Sequence, residues 1–203
     1  GCDQFLDLGS GLPTVGNVHQ VAQAANSEAR VVYVDIDPVA VAHGRAILAA
    51  DSCAVAIQGD MRQPPLILED KELLALLDLD RPLGLLAVVA LHYVVEDNLA
   101  YEAMDLLRAR LVPGSWLAIA HGIPEEQSAA GTTGLRQRFE PASSTRSRSR
   151  DEILRFFGDW QLVEPGLVFA PLWCPEGEDD VLLDQPGRGL TLAGVAKKPL
   201  LDH

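Results

Sequence analysis

Basic residues are scarce in this sequence: 16 lysines and arginines stand against 29 aspartates and glutamates, a formal net charge of −13. A phosphate backbone would be repelled by most of such a surface, so no nucleic-acid partner is expected. No uninterrupted apolar run reaches the roughly 18 residues that a membrane span needs. The longest, Leu83–Leu91, contains Gly84 and has strand length, so no membrane partner is expected either. A basic-then-apolar leader cannot be read. Cysteine is rare. Cys2, Cys53 and Cys174 are widely spaced and odd in number, which excludes a disulfide framework and a metal cluster; no metal is expected, and a reducing, cytoplasmic setting is the default.

What is present suffices for one well-buried core, with 48% hydrophobic residues in 203, and a single domain over residues 1–203 is expected. Gln4–Leu8 reads as a strand followed at once by Gly9-Ser10-Gly11. Val18, Val21, Ala22 and Ala25 recur on one face of a helix. Val31–Val34 is a β-branched strand ending in Asp35, and Asp37-Pro38 caps a helix whose expected inner side is Val39, Ala42, Ala46 and Ala49. Ala54–Gln58 is a third strand, ending at Gly59-Asp60. Strand and helix alternating in this way predict a parallel sheet with right-handed crossovers. Leu85–Leu91 is apolar throughout, as in a central strand covered on both faces. A helix over 98–111, a type II turn at Val112-Pro113-Gly114 and a strand at Trp116–His121 follow. Asp151–Gly158 is a short helix. Trp160–Phe169 and Leu190–Ala196 are expected to form an antiparallel edge hairpin. The predicted fold is therefore α/β: a doubly wound, mostly parallel, seven-stranded Rossmann-like sheet.

Three acidic residues fall at the ends of consecutive strands, where open α/β sheets bind ligands. Glycines at 9 and 11 let a ligand approach main-chain N–H groups. Asp7 beside them would repel a diphosphate but favour an ammonium or sulfonium. Asp35 is placed to accept from both hydroxyls of a ribose, with Asp37 as the helix cap. Asp60 could take an adenine amine, and Met61 could lie against the ring. Taken together these favour S-adenosylmethionine (SAM) over a nicotinamide dinucleotide, which Gly9, Gly11 and Asp35 alone would also suit.

Asp7-Leu8-Gly9-Ser10-Gly11, Asp35, Gly59-Asp60 and Leu111-Val112-Pro113-Gly114-Ser115 resemble the successive motifs of class I SAM-dependent methyltransferases. More narrowly, Gln4 to Thr14, with its Gly-Leu-Pro-Thr loop, is similar to the signature of a bacterial family of SAM-dependent methyltransferase-like proteins. Val32 to Pro38, Arg81-Pro82, Leu91-His92 and Val163-Glu164-Pro165-Gly166 extend that resemblance over nearly the whole chain. It implies a methyltransferase fold, SAM as cofactor, and cofactor contacts that include Thr14 and Leu91. In two respects the sequence departs from the family: the helices that usually precede the first strand are missing, and Cys174 follows Trp173 where arginine is expected.

Methyl transfer from a sulfonium needs mainly alignment in a dry, shaped site, and a general base only for an acceptor that arrives protonated. His92 and His121, just past the fourth and fifth strands, are the candidate bases; His19 and His43 are expected on solvent-facing helix positions. Leu91-His92-Tyr93-Val94 stands where enzymes that methylate base amino groups carry Asp/Asn-Pro-Pro-Tyr, which disfavours that activity. The leading expectation is a methyltransferase for a small-molecule acceptor. A SAM-binding module without catalysis and an NAD(P)-dependent oxidoreductase are the alternatives. Five of the sixteen basic residues, Arg136, Arg138, Arg146, Arg148 and Arg150, lie in a stretch (124–150) that loses all periodicity. It reads as a solvated, mobile loop closing over an anionic acceptor.

Overall fold

The structure is a computed structural model and describes residues 2–13, 16–124, 145–175, 177 and 182–200. In chain order it contains β1 (Gln4–Leu8), α1 (Val18–Ala25), β2 (Arg30–Asp35), α2 (Pro38–Leu48), β3 (Ala54–Gln58), α3 (Pro64–Leu68), α4 (Lys71–Leu76), β4 (Gly84–Val88), α5 (Asp97–Arg110), β5 (Trp116–Gly122), α6 (Arg150–Arg155), β6 (Gln161–Leu162), β7 (Val168–Phe169) and β8 (Thr191–Lys197). The sheet runs β3-β2-β1-β4-β5-β8-β6, with β7 also paired to β8. β1 to β5 are parallel, and β8 is antiparallel to β5, β6 and β7. Strand order reverses between β1 and β4, which opens a crevice at their C-terminal ends. No helix among the described residues is long and apolar enough to cross a membrane.

The sheet has eight strands, not seven. Trp160–Phe169 breaks in two because Pro165 has no N–H to give a ladder and Gly166 adopts a φ of +85°, closing a turn back to the Val163 carbonyl. β6 and β7 then both pair with β8, so the edge is more than a hairpin. The fourth strand also ends early. Val89 takes a left-handed φ of +56°, and Leu91–Tyr93 forms a 3-10 turn outside the sheet. The turn before β5 is as expected, with Gly114 at φ +85° and Ser115 N–H donating to the Val112 carbonyl at 3.2 Å.

One face of β1–β3 is covered by α1 and α2, where Val31, Tyr33, Val41, Leu48, Ala54 and Ala56 bury together. The other face carries the main core, built on Leu6, Leu8, Val32, Val34 and Ile57 with Met104, Leu107, Phe156 and Phe157 from the later helical segments. The helix faces differ from the periodic reading. Val21 and Val39 are exposed, and the inner side of α2 is Ala40, Val41, Gly44 and Leu48. Alanine-rich helices offer two nearly equivalent small-residue stripes. The bulkier Val41 and Leu48, three and four positions either side of Gly44, decide which one turns inward. His19 is likewise buried rather than solvent-facing: its N–H donates to the Tyr33 hydroxyl at 2.7 Å and its Nδ1 lies 2.8 Å from the same oxygen. His43 is exposed as expected.

A Cβ at Gly44 would sit 3.0 Å from the Ala56 Cβ. Gly44→Leu is therefore expected to lower stability by about 1–3 kcal/mol through overpacking. Ala42→Leu, on the exposed side, should stay within about 0.5 kcal/mol. Urea denaturation of both variants checks the assignment of the face; equal effects would contradict it.

Candidate functional site

The glycine loop after β1 is shaped by its neighbour strand. Gly9 and Ser10 both donate to the Val34 carbonyl, at 2.8 and 3.2 Å, and Gly11 N–H donates to Asp35 Oδ2 at 2.7 Å. The two glycines, at φ +67° and +65°, have different reasons to be glycine. At position 9 a Cβ would lie 2.6 Å from the Ala90 Cβ and 3.0 Å from Met61 Cε, whereas at position 11 it would meet nothing within 4 Å. Gly9 lets the ends of β1 and β4 approach; Gly11 keeps backbone open towards the crevice.

Two cavities flank this loop and share Gly9, Gly11 and Asp35. The first, about 320 Å³, is walled by Asp7, Leu12, Pro13, His19, Tyr33 and Val88, among others. The second, about 580 Å³, is walled by Asp37, Gly59, Asp60, Met61, Ala90 and Tyr93 with their neighbours. Asp7 is 9% exposed. Burial, and secondarily the negative charge of Asp35, push its carboxyl up to about 7. No cation pairs with Asp7 among the described residues.

Asp35 is held by the loop N–H at one oxygen and by Asp37 N–H, 2.9 Å from Oδ1, at the other. Each oxygen keeps a further lone pair for a ligand hydroxyl. Asp37 caps α2, accepting from Val39 N–H at 2.8 Å, as its position before Pro38 predicts. Asp60 lies at the second cavity, but Arg62 grips its carboxylate through Nε (2.9 and 3.0 Å) and a terminal nitrogen (2.6 Å). That hydrogen bonding holds Asp60 below the usual carboxylate range and leaves it fewer positions for an adenine amine. Met61 is on the wall, as expected. Leu91 is not: its side chain is buried in the main core, because the 3-10 turn swings it inward and puts Ala90 and Tyr93 at the cavity instead. Thr14 lies outside the described residues, as does the larger part of the 124–150 stretch. Cys174 is exposed, and nothing in the structure explains it.

The histidines and the arginines form a single assembly. Fully buried, Arg148 donates to the carbonyls of Leu91 (3.0 Å) and Val94 (2.7 Å), to His121 Nε2 (3.1 Å) and to Asp97 Oδ1 (3.1 Å). Arg146 grips both Asp97 oxygens at 2.7 Å and reaches Glu152 at 2.9 Å; its N–H donates to the His92 carbonyl at 2.8 Å. Arg150 bonds the Leu167 carbonyl. All three arginines are thus bonded within the chain, Arg148 buried and Arg146 and Arg150 with solvent access. They tie the segment after residue 144 across the ends of β4 and β5. The signal available in the sequence was Ser149-x-x-Glu152, a capping box that the structure forms at the start of α6.

His121 accepts from Arg148 at Nε2 and therefore donates from Nδ1 to the Gly122 carbonyl, at 2.8 Å. Burial is the main reason its pKa falls to about 4. It lines neither cavity, and both its ring nitrogens are engaged. His92 lies against Tyr93, with ring centroids 4.2 Å apart. Its buried Nδ1 has no partner among the described residues, and burial, with the nearby Arg148 charge, lowers its pKa.

Asp7 has a consequence for stability that needs no ligand. The folded chain keeps a proton on it up to about pH 7, while the unfolded chain releases it near an ordinary value of about 3.9. Between these values the native state binds more protons, so the Asp7 contribution to stability declines as pH rises. Asp7→Asn is expected to remove that slope and to be more stable than the parent at pH 8 but not at pH 4. Urea midpoints of both proteins at the two pH values measure this; parallel profiles would contradict the desolvated carboxyl.

The chain's sequence matches the model of the S-adenosyl methyltransferase family over residues 1–199. A candidate methyltransferase from Thermobifida fusca YX has a similar structure at 40% identity and a TM-score of 0.84, covering 98% of this chain and 74% of that one. A DUF574 family protein from Streptomyces avermitilis MA-4680 is 33% identical, again at a TM-score of 0.84, covering 98% and 76%. The N-methyltransferase NodS of Bradyrhizobium japonicum WM9, solved with S-adenosyl-L-homocysteine, shares the fold at 13% identity and a TM-score of 0.57, covering 98% and 80%. No curated protein matches the sequence. With its glycine loop, its acidic strand ends and this match along nearly its full length, the chain belongs to the S-adenosyl methyltransferase family, enzymes whose cofactor is SAM.

Proposed function

We propose that the two cavities together hold SAM, its amino-acid half against Asp7 and its nucleoside half against Asp35 and Met61, for transfer of a methyl group to a small-molecule acceptor. One observation carries this reading: a buried carboxyl, with no cation beside it among the described residues, faces a cavity at the glycine loop. Such a group is costly alone and is relieved by a positively charged ligand. SAM supplies a methyl group bonded to its sulfonium sulfur. Asp35 would accept from the ribose hydroxyls with the lone pairs that Gly11 and Asp37 leave free, and Gly59, Met61 and Tyr93 would border the base. Asp60 contributes less than its position implies, since Arg62 already occupies it. His121 is a fixed structural pair with Arg148. His92 lines neither cavity and its unpartnered Nδ1 is buried, so neither histidine is assigned as the base for an acceptor that arrives protonated.

A dinucleotide is disfavoured at the same place, because a diphosphate at the glycine loop would meet Asp7. Calorimetric titration with SAM, S-adenosyl-L-homocysteine and NAD separates the readings: the first two should bind and NAD should not. Asp35→Ala should weaken SAM by about 10-fold or more, while Asp37→Ala should mainly cost α2 about 1 kcal/mol. His92→Ala should leave SAM affinity unchanged. Since the ionised form of Asp7 is the one that meets a cation, affinity for SAM should rise between pH 6 and 8 and be flat in Asp7→Asn. NAD binding tighter than SAM would overturn the assignment.

A further inference from the structure

One charged group that the proposed site does not use is fully buried: Arg148. It lines neither cavity, and its guanidinium lies over the ring of Phe156, 5.2 Å from the centroid. A charge taken out of water needs several well-made hydrogen bonds, and an apolar side chain of similar volume is often no less stable in its place. What a buried guanidinium adds is geometry, because its donors stand in a rigid planar fork.

That fork is aimed at one short piece of backbone. Nη1 donates to the Leu91 carbonyl at 3.0 Å and Nη2 to that of Val94 at 2.7 Å, and the main-chain N–H of Arg146 donates to the His92 carbonyl between them at 2.8 Å. Segment 146–148 is itself anchored on two sides. The main-chain N–H of Arg148 donates to the Gly122 carbonyl at the end of β5, at 3.1 Å. Asp97, the first residue of α5, accepts from Arg146 at 2.7 Å and from Arg148 Nε at 3.1 Å. Arg136 and Arg138 lie outside the described residues.

The backbone held in this way has little to hold itself. Leu91–Tyr93 is a single 3-10 turn, closed by the N–H groups of Tyr93 and Val94 on the carbonyls of Ala90 (3.1 Å) and Leu91 (3.2 Å). So short a turn is weak alone. It also follows Val89, whose φ of +56° is unfavourable for a β-branched residue. The turn nevertheless forms a wall of the site. Ala90, Tyr93 and Val94 line the larger cavity together with Asp60 and Met61. A Cβ at Gly9 would come within 2.6 Å of that of Ala90, so this wall stands close against the glycine loop.

We propose that Arg148 is a positioning residue for cofactor binding. By holding the Leu91 and Val94 carbonyls, with Arg146 holding that of His92 between them, it fixes the turn that carries Ala90 and Tyr93 and so sets the wall against which the nucleoside half of SAM is bound. The assignment rests on the reading of the larger cavity as part of a SAM site. Arg148 acts only through the turn and touches no part of the cofactor.

Calorimetric titration of SAM into the parent, Arg148→Met, Tyr93→Ala and the double variant tests this. Arg148→Met should weaken SAM by about 10-fold although the residue lines neither cavity, and Tyr93→Ala by about 10-fold through lost contact with the base. Because both act through one turn, the double variant should fall well short of the additive loss of about 100-fold. The rise in affinity with pH that depends on Asp7 should persist in Arg148→Met. Lys198→Met removes a different side chain that holds two carbonyls, those of Arg108 and Leu111 at the end of α5; it should lower the melting temperature and leave SAM affinity unchanged. Hydrogen exchange reads the clamp without ligand: the Tyr93 and Val94 N–H groups should exchange at least about 10-fold faster in Arg148→Met, and those of Gly9 and Ser10 should not. Should Arg148→Met fail to fold, Asp97→Ala frees Arg146 and one arm of Arg148 from a half-buried position, and it should weaken SAM by about 3-fold with the same exchange pattern. Unchanged SAM affinity, full additivity with Tyr93→Ala, or an equal loss in Lys198→Met would overturn the proposal. Failure of SAM to bind the parent would instead overturn the cofactor reading, and the exchange rates would still decide whether Arg148 holds the turn.

Discussion

The close approach of the loop after β1 to the loop after β4 governs this end of the molecule. With 2.6 Å between a Cβ at position 9 and that of Ala90, no side chain fits, and only glycine lets the two strand ends meet. The same backbone turn points two successive N–H groups at the Val34 carbonyl and the next at Asp35. Three adjacent parallel strands are thereby locked at the point where strand order reverses. The crevice exists because helices leave in opposite directions on its two sides, and its floor is rigid because the glycine loop has no freedom left. Asp35 is part of that lock as well as part of the site. A ligand hydroxyl reaching it meets a carboxylate already oriented by two backbone donors, so little ordering cost remains for binding.

Position along the chain was enough to read whatever is decided locally. β1 to β5, the turn at Val112–Ser115, the Asp37 cap and the acidic ends of β1, β2 and β3 each follow from a few consecutive residues. Errors appear where a choice is made by distant packing. Both stripes of α2 are small and apolar, and only contact with Ala56 selects Gly44's side. The short α3 and α4 carry too few turns for a period to show; what marked α4 was Asp70, whose carboxylate accepts from the N–H groups of Glu72 and Leu73. Trp160–Phe169 looks continuous in hydropathy and is divided by a missing donor and one left-handed glycine.

The site divides the same way. That Asp7, Gly9, Gly11 and Asp35 meet around one cavity could be read from sequence, because the fold fixes them by their place at a strand end. His121, Leu91 and the arginines could not, because their roles come from a contact between residues 27 to 57 positions apart. A buried guanidinium has no local signature. Five arginines in a periodicity-free stretch look like solvated charge, and the three that the structure describes are donors to carbonyls, two carboxylates and an imidazole. That arrangement places a permanent positive charge behind His92 and His121, which helps keep both rings neutral.

The three strand-end carboxylates therefore stand at different energetic levels. Asp60 is held by an arginine and Asp35 by two backbone N–H groups; both are largely satisfied before any ligand arrives. Among the described residues Asp7 has neither kind of partner, and it lies buried beside a second negative charge. Replacing it by a neutral isostere would favour the free fold at neutral pH, so fold stability alone does not account for a carboxyl there. Val89 is similar in kind, a residue whose backbone would be easier as glycine. Both depart from what stability alone selects, Asp7 facing a cavity at the glycine loop and Val89 just past the end of β4. Such departures tend to gather where a protein meets its ligands, since there the favourable contact is completed by a molecule that the chain itself does not contain.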